Sequence, residues 1–182
     1  MTCFIPTRLL YDIYMSLSSN VLFKLNLKQN SKISVIDLGD CENIIKKNIS
    51  NESDPTPLLI MKIDIKKEDK KTTAVEYEIY NPYTKKVIDL SICENKAISI
   101  YAPINLNQQE TSLYNDLKQQ GYDLFDANNS FYLDSCTQYT SQNGTDVQLS
   151  DRKDYFFNEN IVLCEDNCKY VKVYTNIEKV YC

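Results

Sequence analysis

The sequence predicts a mainly β fold, antiparallel and sandwich-like, with one or two short α-helices and disulfides bracing it. Three observations carry this reading. Tyrosine dominates the aromatic content, with 14 Tyr against 6 Phe and no Trp, and tyrosine and β-branched residues suit pleated, half-buried surfaces. Short runs of alternating polar and apolar residues recur between turn signals. Seven cysteines stand at 3, 41, 93, 136, 164, 168 and 182, a high count for a chain of this size. At 182 residues the chain is also long enough to bury a core of its own.

Residues 1–29 form an N-terminal segment of ambiguous pattern. Leu9, Leu10, Ile13, Tyr14 and Leu17 have helical spacing and Pro6 suits a helix start, so a helix is predicted, packed on its own domain or on a partner. Residues 30–182 form the β-rich module, with a subdivision open near 106/107. Residues 31–39 (SKISVIDLG) read as a strand closed by Gly39. Asp40 caps a short helix, CENIIKKN, with Glu42 in the favourable first turn. Residues 48–57 are a loop by their Pro and sequon content. Residues 58–65 (LLIMKIDI) are the strongest strand. Its two faces are Ile60, Lys62, Asp64 and the more apolar Leu59, Met61, Ile63, Ile65. A charged turn leads to a second strand over 73–81, making a hairpin.

Asn81-Pro82 marks another tight turn. Residues 87–92 and 97–104 are further short strands, with Pro103 pointing to a sheet edge or a strand end. Leu113, Tyr114 and Leu117 then switch to helical spacing, and Gly121 supplies a C-cap for a helix over 107–120. In the following stretch Asn143-Gly144 is the strongest hairpin signal, with 145–149 as the returning strand and Asp151 to Asp154 a charged corner. Strands are predicted over 160–164, 170–174 and 179–182.

The stretch from Gly121 to Asp154 lacks an aliphatic run suited to an ordinary helix and needs pinning. Disulfides from Cys136 and packing of its aromatics are the expected pins. The four sequons, at Asn48, Asn51, Asn128 and Asn143, together with the cysteines favour the secretory route and an extracellular or cell-surface location. In that compartment six cysteines, Cys41, Cys93, Cys136, Cys164, Cys168 and Cys182, make three bridges. Cys41 with Cys93 is the favoured pair, the other four form a cluster, and Cys3 is left over. The N-terminus lacks a signal-peptide pattern, so the chain is expected to be a processed protein or a piece of a longer one.

The composition excludes several chemistries. The chain has no His, which removes imidazole catalysis, His-activated nucleophiles and His-ligated zinc. Its net charge is −5, with lysines scattered in pairs, unlike a nucleic-acid binder. No run approaches the length that spans a bilayer. Cys164 and Cys168 are spaced too widely for a zinc knuckle or a redox pair. Glu76 and Glu78 near Asp89 or Glu94 resemble a glycosidase carboxylate pair only in residue type; an outward polar sheet face is the plainer reading.

Asp126-x-Asn128-x-Ser130 begins like a calcium loop, but Phe131 and Thr137 occupy the glycine and glutamate positions. An irregular calcium site from Asp123, Asp126, Asn128 or Asp134 is therefore the only cofactor site the residues suggest; Asx turns are the alternative. No catalytic residue is assigned.

Several segments carry a resemblance: VEYEIYNPYTKKVIDLSICEN, ISIYAPINL, the run YNDLKQQGYDLFDANNSFYLDSCTQYTSQNGTDVQLSDRKDYF, and CEDNCKYVKVY. Over about residues 31–182 the chain resembles an uncharacterised, cysteine-containing ectodomain module of large protist surface proteins. The resemblance implies a secreted or surface-anchored β-rich module with paired cysteines, and no catalytic assignment. The expected function is that of a non-catalytic extracellular structural or adhesive module. Its partners would be other protein chains, the same protein included, met through the N-terminal segment and the Tyr-rich stretch after Gly121. The alternatives are a calcium- or carbohydrate-binding module, and an intracellular scaffold with free thiols.

Overall fold

The computed structural model describes residues 10–17, 32–49, 57–66, 70–140, 144–156, 163–165 and 167–182. In chain order its elements are β1 (Leu10–Leu17), β2 (Val35–Asp37), α1 (Asp40–Ile49), β3 (Leu59–Lys66) and β4 (Ala74–Tyr80). Then come a 3-10 turn (Leu90–Cys93), β5 (Ser99–Pro103), α2 (Gln108–Gln119), α3 (Ser130–Leu133), α4 (Leu149–Phe156), β6 (Lys172–Tyr174) and β7 (Lys179–Tyr181). The strands make two antiparallel sheets, ordered β1-β3-β4 and β2-β5-β7-β6. The fold is thus mainly antiparallel sheet with a few short helices.

The first sheet corrects the N-terminal expectation. Leu10–Leu17 is a strand, paired along its whole length with β3 from Leu10 opposite Lys66 to Leu17 opposite Leu59. The sequence LYDIYMSL alternates as well as it spirals, and pairing with a long neighbour decides between the periods. This stretch is therefore a strand of the same sheet as β3 and β4 and not a helix. The rest of 1–29 lies outside the described residues.

Of the two readings of Pro103, a strand end rather than a sheet edge holds for β5. It is an inner strand, with β2 on one side and β7 on the other. Pro103, which has no N–H to donate, stands at its end. There Thr73 N donates to Pro103 O at 3.3 Å and Asn105 N to Lys71 O at 2.8 Å. With the bridge between Thr72 and Ile104, this stitches the approach to β4 onto the end of β5 and joins the two sheets at one corner.

Two other expected strands shrink. Val87 makes a single bridge to Tyr80, and the chain then turns at Leu90–Cys93, where Asp89 accepts from Ser91 N at 2.9 Å. Around the expected Asn143-Gly144 turn the described residues show one bridge, Thr140 opposite Asp146, and Gly144 at φ +76°. Leu149 already opens α4, so the charged corner Asp151 to Asp154 is helical. Helix α2 forms as expected and has a full capping box: Asn107 accepts from Glu110 N, and Glu110 accepts from Asn107 N.

Two apolar clusters fill the interior. One gathers Ile36, Leu38, Cys41, Ile45, Leu58, Ile60, Ile79 and Cys93 under α1. The other gathers Ile100, Ala102, Tyr114, Leu117, Phe131, Val173 and Val180 with their neighbours under α2 and α3. Val75 and Tyr77 of β4 pack against both. Each cluster has a disulfide. Cys41–Cys93 has its Cα atoms 5.3 Å apart and ties α1 to the 3-10 turn, the favoured pair of the sequence analysis. Cys164–Cys182 has them 5.7 Å apart and ties the C-terminal residue to the second cluster.

Candidate functional site

The expected calcium ligands do not converge. Asp123 accepts from Phe125 N at 2.9 Å and from Tyr170 Oη at 2.8 Å. Asp126 accepts from Asn128 N at 2.9 Å. Asp134 accepts from Cys136 N at 2.9 Å and Thr137 Oγ1 at 3.3 Å. Each carboxylate closes its own turn, and among the described residues no three acidic or thiol side chains gather to hold a metal ion. Glu76 and Glu78 lie on the exposed side of β4, where Glu78 accepts from Tyr80 Oη at 2.6 Å. Asp89 is spent on the 3-10 turn.

The third disulfide is corrected. Cys136 and Cys168 are free thiols. Cys136 is exposed on the turn after α3, whereas Cys168 packs against the second cluster beside Cys164 and Cys182. Burial, with Glu165 adding, pushes the Cys168 thiol up. Cys3 lies outside the described residues. Of the sequons, Asn48 is exposed on the last turn of α1 rather than in a loop, and Asn128 is exposed. Asn51 and Asn143 lie outside the described residues.

The stretch from Gly121 to Asp154 is pinned by Arg152 instead of a disulfide. This side chain is buried, 3 % exposed. Its guanidinium donates to Phe131 O at 3.0 Å, Thr137 O at 2.6 Å and Val147 O at 3.1 Å, and it stacks over the Phe131 ring at 5.1 Å. Phe131 in turn makes edge contacts with Tyr132 and Tyr139, 4.9 and 5.3 Å between ring centres. One cation thus satisfies three carbonyls of an irregular segment. The aromatic packing was expected, but Arg152 was not: in the sequence it stands inside a charged run.

A second unforeseen feature joins the sheets. On β3 the buried side is Ile60, Lys62 and Asp64, not the more apolar one. Ser34 N and Oγ donate to the two Asp64 oxygens at 2.8 and 2.5 Å. Lys62 Nζ donates to Ser34 O and to Ser34 Oγ, the latter at 3.1 Å. Lys179 Nζ, from β7, donates to Ile33 O at 2.5 Å. Burial lowers both lysines to about 8; Asp64 opposes the shift for each, and Lys62 adds to it for Lys179. A serine beside a lysine of lowered pKa has the parts of a nucleophile and base. Ser34 is 0 % exposed and Lys62 4 %, so a substrate has no path to them, and the arrangement acts as a polar tie between β3 and the second sheet.

The surface feature with the most recognition chemistry is a tyrosine row. By register Tyr101, Tyr181 and Lys172 stand side by side across β5, β7 and β6, on the face opposite Ala102, Val180 and Val173. Tyr101 and Tyr181 stack at 4.8 Å and 5°. Tyr174 lies 6.2 Å from Tyr101, and Lys172 sits 4.6 Å over the Tyr174 ring. Ser99 Oγ is 3.1 Å from Tyr181 Oη. All five are half-buried. Burial, with the two neighbouring tyrosines and Asp37 adding, pushes the Tyr101 phenol up to about 12.

The β6 edge beside this row is closed. Val173 N donates to Tyr114 Oη, and Val173 O accepts from both Tyr114 Oη and Lys118 Nζ. Helix α2 therefore occupies the hydrogen-bonding groups an added strand would use. No helix among the described residues is long and apolar enough to cross a membrane. Compared with known protein families, curated proteins and solved structures, the chain matches none.

Proposed function

We propose that this chain is a non-catalytic extracellular module, structural or adhesive, that works through contacts with other protein chains. The observation that carries the reading is the row Tyr101, Tyr181 and Tyr174 with Lys172 above it. Rigid, half-exposed tyrosines offer large contact area at little entropic cost and a polar tip for hydrogen bonds, the chemistry enriched at protein interfaces. The closed β6 edge favours contact through this face over strand addition. Two disulfides suit an oxidising compartment, and Asn48 and Asn128 are exposed acceptors for glycans there.

The test places a photo-crosslinking phenylalanine analogue at Tyr174 in protein made by its native source. A covalent adduct with a protein chain, absent when the analogue stands at exposed Gln138, is the expected result. No protein adduct, or adducts with glycan alone, would sink the reading and favour a carbohydrate-binding module on the same tyrosines.

A further inference from the structure

The peptide bond between Ile33 and Ser34 lies among the buried groups that tie β3 to the second sheet, and those groups converge on its reacting atoms. Ser34 Oγ donates to Asp64 Oδ1 at 2.5 Å, and Ser34 N donates to Asp64 Oδ2 at 2.8 Å. The oxygen of the same peptide, Ile33 O, accepts from Lys179 Nζ at 2.5 Å. Lys62 Nζ donates to Ser34 O and, at 3.1 Å, to Ser34 Oγ. A hydroxyl has one proton and two lone pairs. Ser34 Oγ thus gives its proton to a carboxylate, shares one lone pair with Lys62 and keeps the other. The Ile33 carbonyl carbon is joined to that oxygen through Cβ, Cα and N of the serine itself, so attack is intramolecular. An outside substrate has no path to Ser34, which is 0 % exposed, but the chain's own peptide bond is already in place. Ile33 is half-buried, so this bond borders solvent on its N-terminal side.

We propose that Ile33–Ser34 is a site of self-cleavage, with Ser34 as the nucleophile, Asp64 as the base and Lys179 as the donor to the oxyanion. The bond from Ser34 Oγ to the Ile33 carbonyl carbon forms, and the bond from that carbon to Ser34 N breaks. The hydroxyl proton passes to Asp64. The same carboxyl group bonds the leaving nitrogen through its other oxygen and returns the proton there. Ile33 becomes an ester on Ser34, and Ser34 gains a free amine. Lys179 stabilises the negative charge that gathers on Ile33 O in between. Water then hydrolyses the ester, leaving a carboxylate on Ile33 and restoring the Ser34 hydroxyl. The two pieces stay together in the folded protein: β1 lies before the break and pairs along its whole length with β3, while both disulfides lie after it. The proposal is independent of the tyrosine row, all of which lies on the larger piece.

The experiment follows the purified full chain over time, with and without neutral hydroxylamine, on reducing denaturing gels and by mass spectrometry. Hydroxylamine attacks esters and leaves a hydroxamate on the acyl residue. The expected result is a fragment that begins at Ser34, faster release with hydroxylamine, and a hydroxamate on Ile33. Ser34→Ala should stop the cut, Ser34→Cys should keep it through a thioester, and Lys179→Gln should slow it about a hundredfold, the order of losing one oxyanion donor. Circular dichroism shows whether each variant is folded, and the Ile33 hydroxamate in the parent chain reads the ester without any variant. An intact parent chain with no hydroxamate after prolonged incubation, a cut at another bond, or a cut that folded Ser34→Ala leaves unchanged overturns the site.

Discussion

The buried lysines predict that the protein grows more stable as the solution becomes mildly alkaline. Lys62 and Lys179 fall from 10.5 to about 8 on folding. Between those limits the unfolded chain binds more protons than the folded one, so unfolding free energy rises with pH. A shift of this size is worth about 3 kcal/mol per lysine at full effect. Because the two lysines share Asp64 and oppose each other, a combined gain of about 2–4 kcal/mol is expected instead of the sum.

The rise should turn over above about pH 10. There Tyr101, held up to about 12, and Tyr132 and Tyr170, raised further by burial and Asp123, keep protons the unfolded chain has lost. Urea unfolding followed by circular dichroism, from about pH 7 to 9.5, measures the slope. A Cys136→Ser/Cys168→Ser background keeps thiolates from shuffling the bridges. Lys62→Met/Lys179→Met should flatten the slope. Asp64→Asn should cost about 3–5 kcal/mol near neutrality, where it strands two cations, and less at the alkaline end. A flat or falling slope in the parent, or one the double variant leaves intact, would refute the reasoning.

Three further outcomes follow from the same contacts. Removing Cys41–Cys93, which closes a separation of 52 residues, should cost about 4 kcal/mol, against about 3 kcal/mol for Cys164–Cys182 at 18, read from urea midpoints of the paired Ser variants. Arg152→Lys should lose the fork to Phe131, Thr137 and Val147, costing about 2–4 kcal/mol, with faster amide exchange confined first to residues 131–147. Tyr114→Phe should cost about 1–2 kcal/mol and speed exchange of the Val173 amide, which donates to that hydroxyl.

Where signals are local, the sequence was readable. Helix α2 announces itself through Asn107, the Leu113–Tyr114–Leu117 spacing and Gly121, all within one segment. The hairpin β3–β4 is readable because each strand alternates on its own and the charged turn joins them. Residues 10–17 fit both periods, and only the partner β3 decides. Arg152 looked like one charge among several, since nothing in DRKD tells a solvated arginine from one facing three carbonyls. The buried side of β3 was hidden for the same reason. Its partners are Ser34, 30 residues earlier, and Lys179 on the last strand.

That choice of side bears on how the sheet holds its register. In β3 the apolar set Leu59, Met61, Ile63, Ile65 alternates with Ile60, Lys62, Asp64. A slip by one residue exchanges the two sets, and by hydrophobicity alone the slipped strand is the better one. What opposes it is the tie of Ser34, Lys62, Asp64 and Lys179, which a slipped strand would leave as stranded buried polar groups at a cost of several kcal/mol. The network then acts to specify one register more than to add stability. Replacing it whole, as Ser34→Ala/Lys62→Met/Asp64→Leu/Lys179→Met, should leave the urea midpoint near or above the parent. The amide resonances of β1, β3 and β4 should then double as two registers populate. A single sharp set of resonances in that variant would show that turns and packing hold the register without the buried charges.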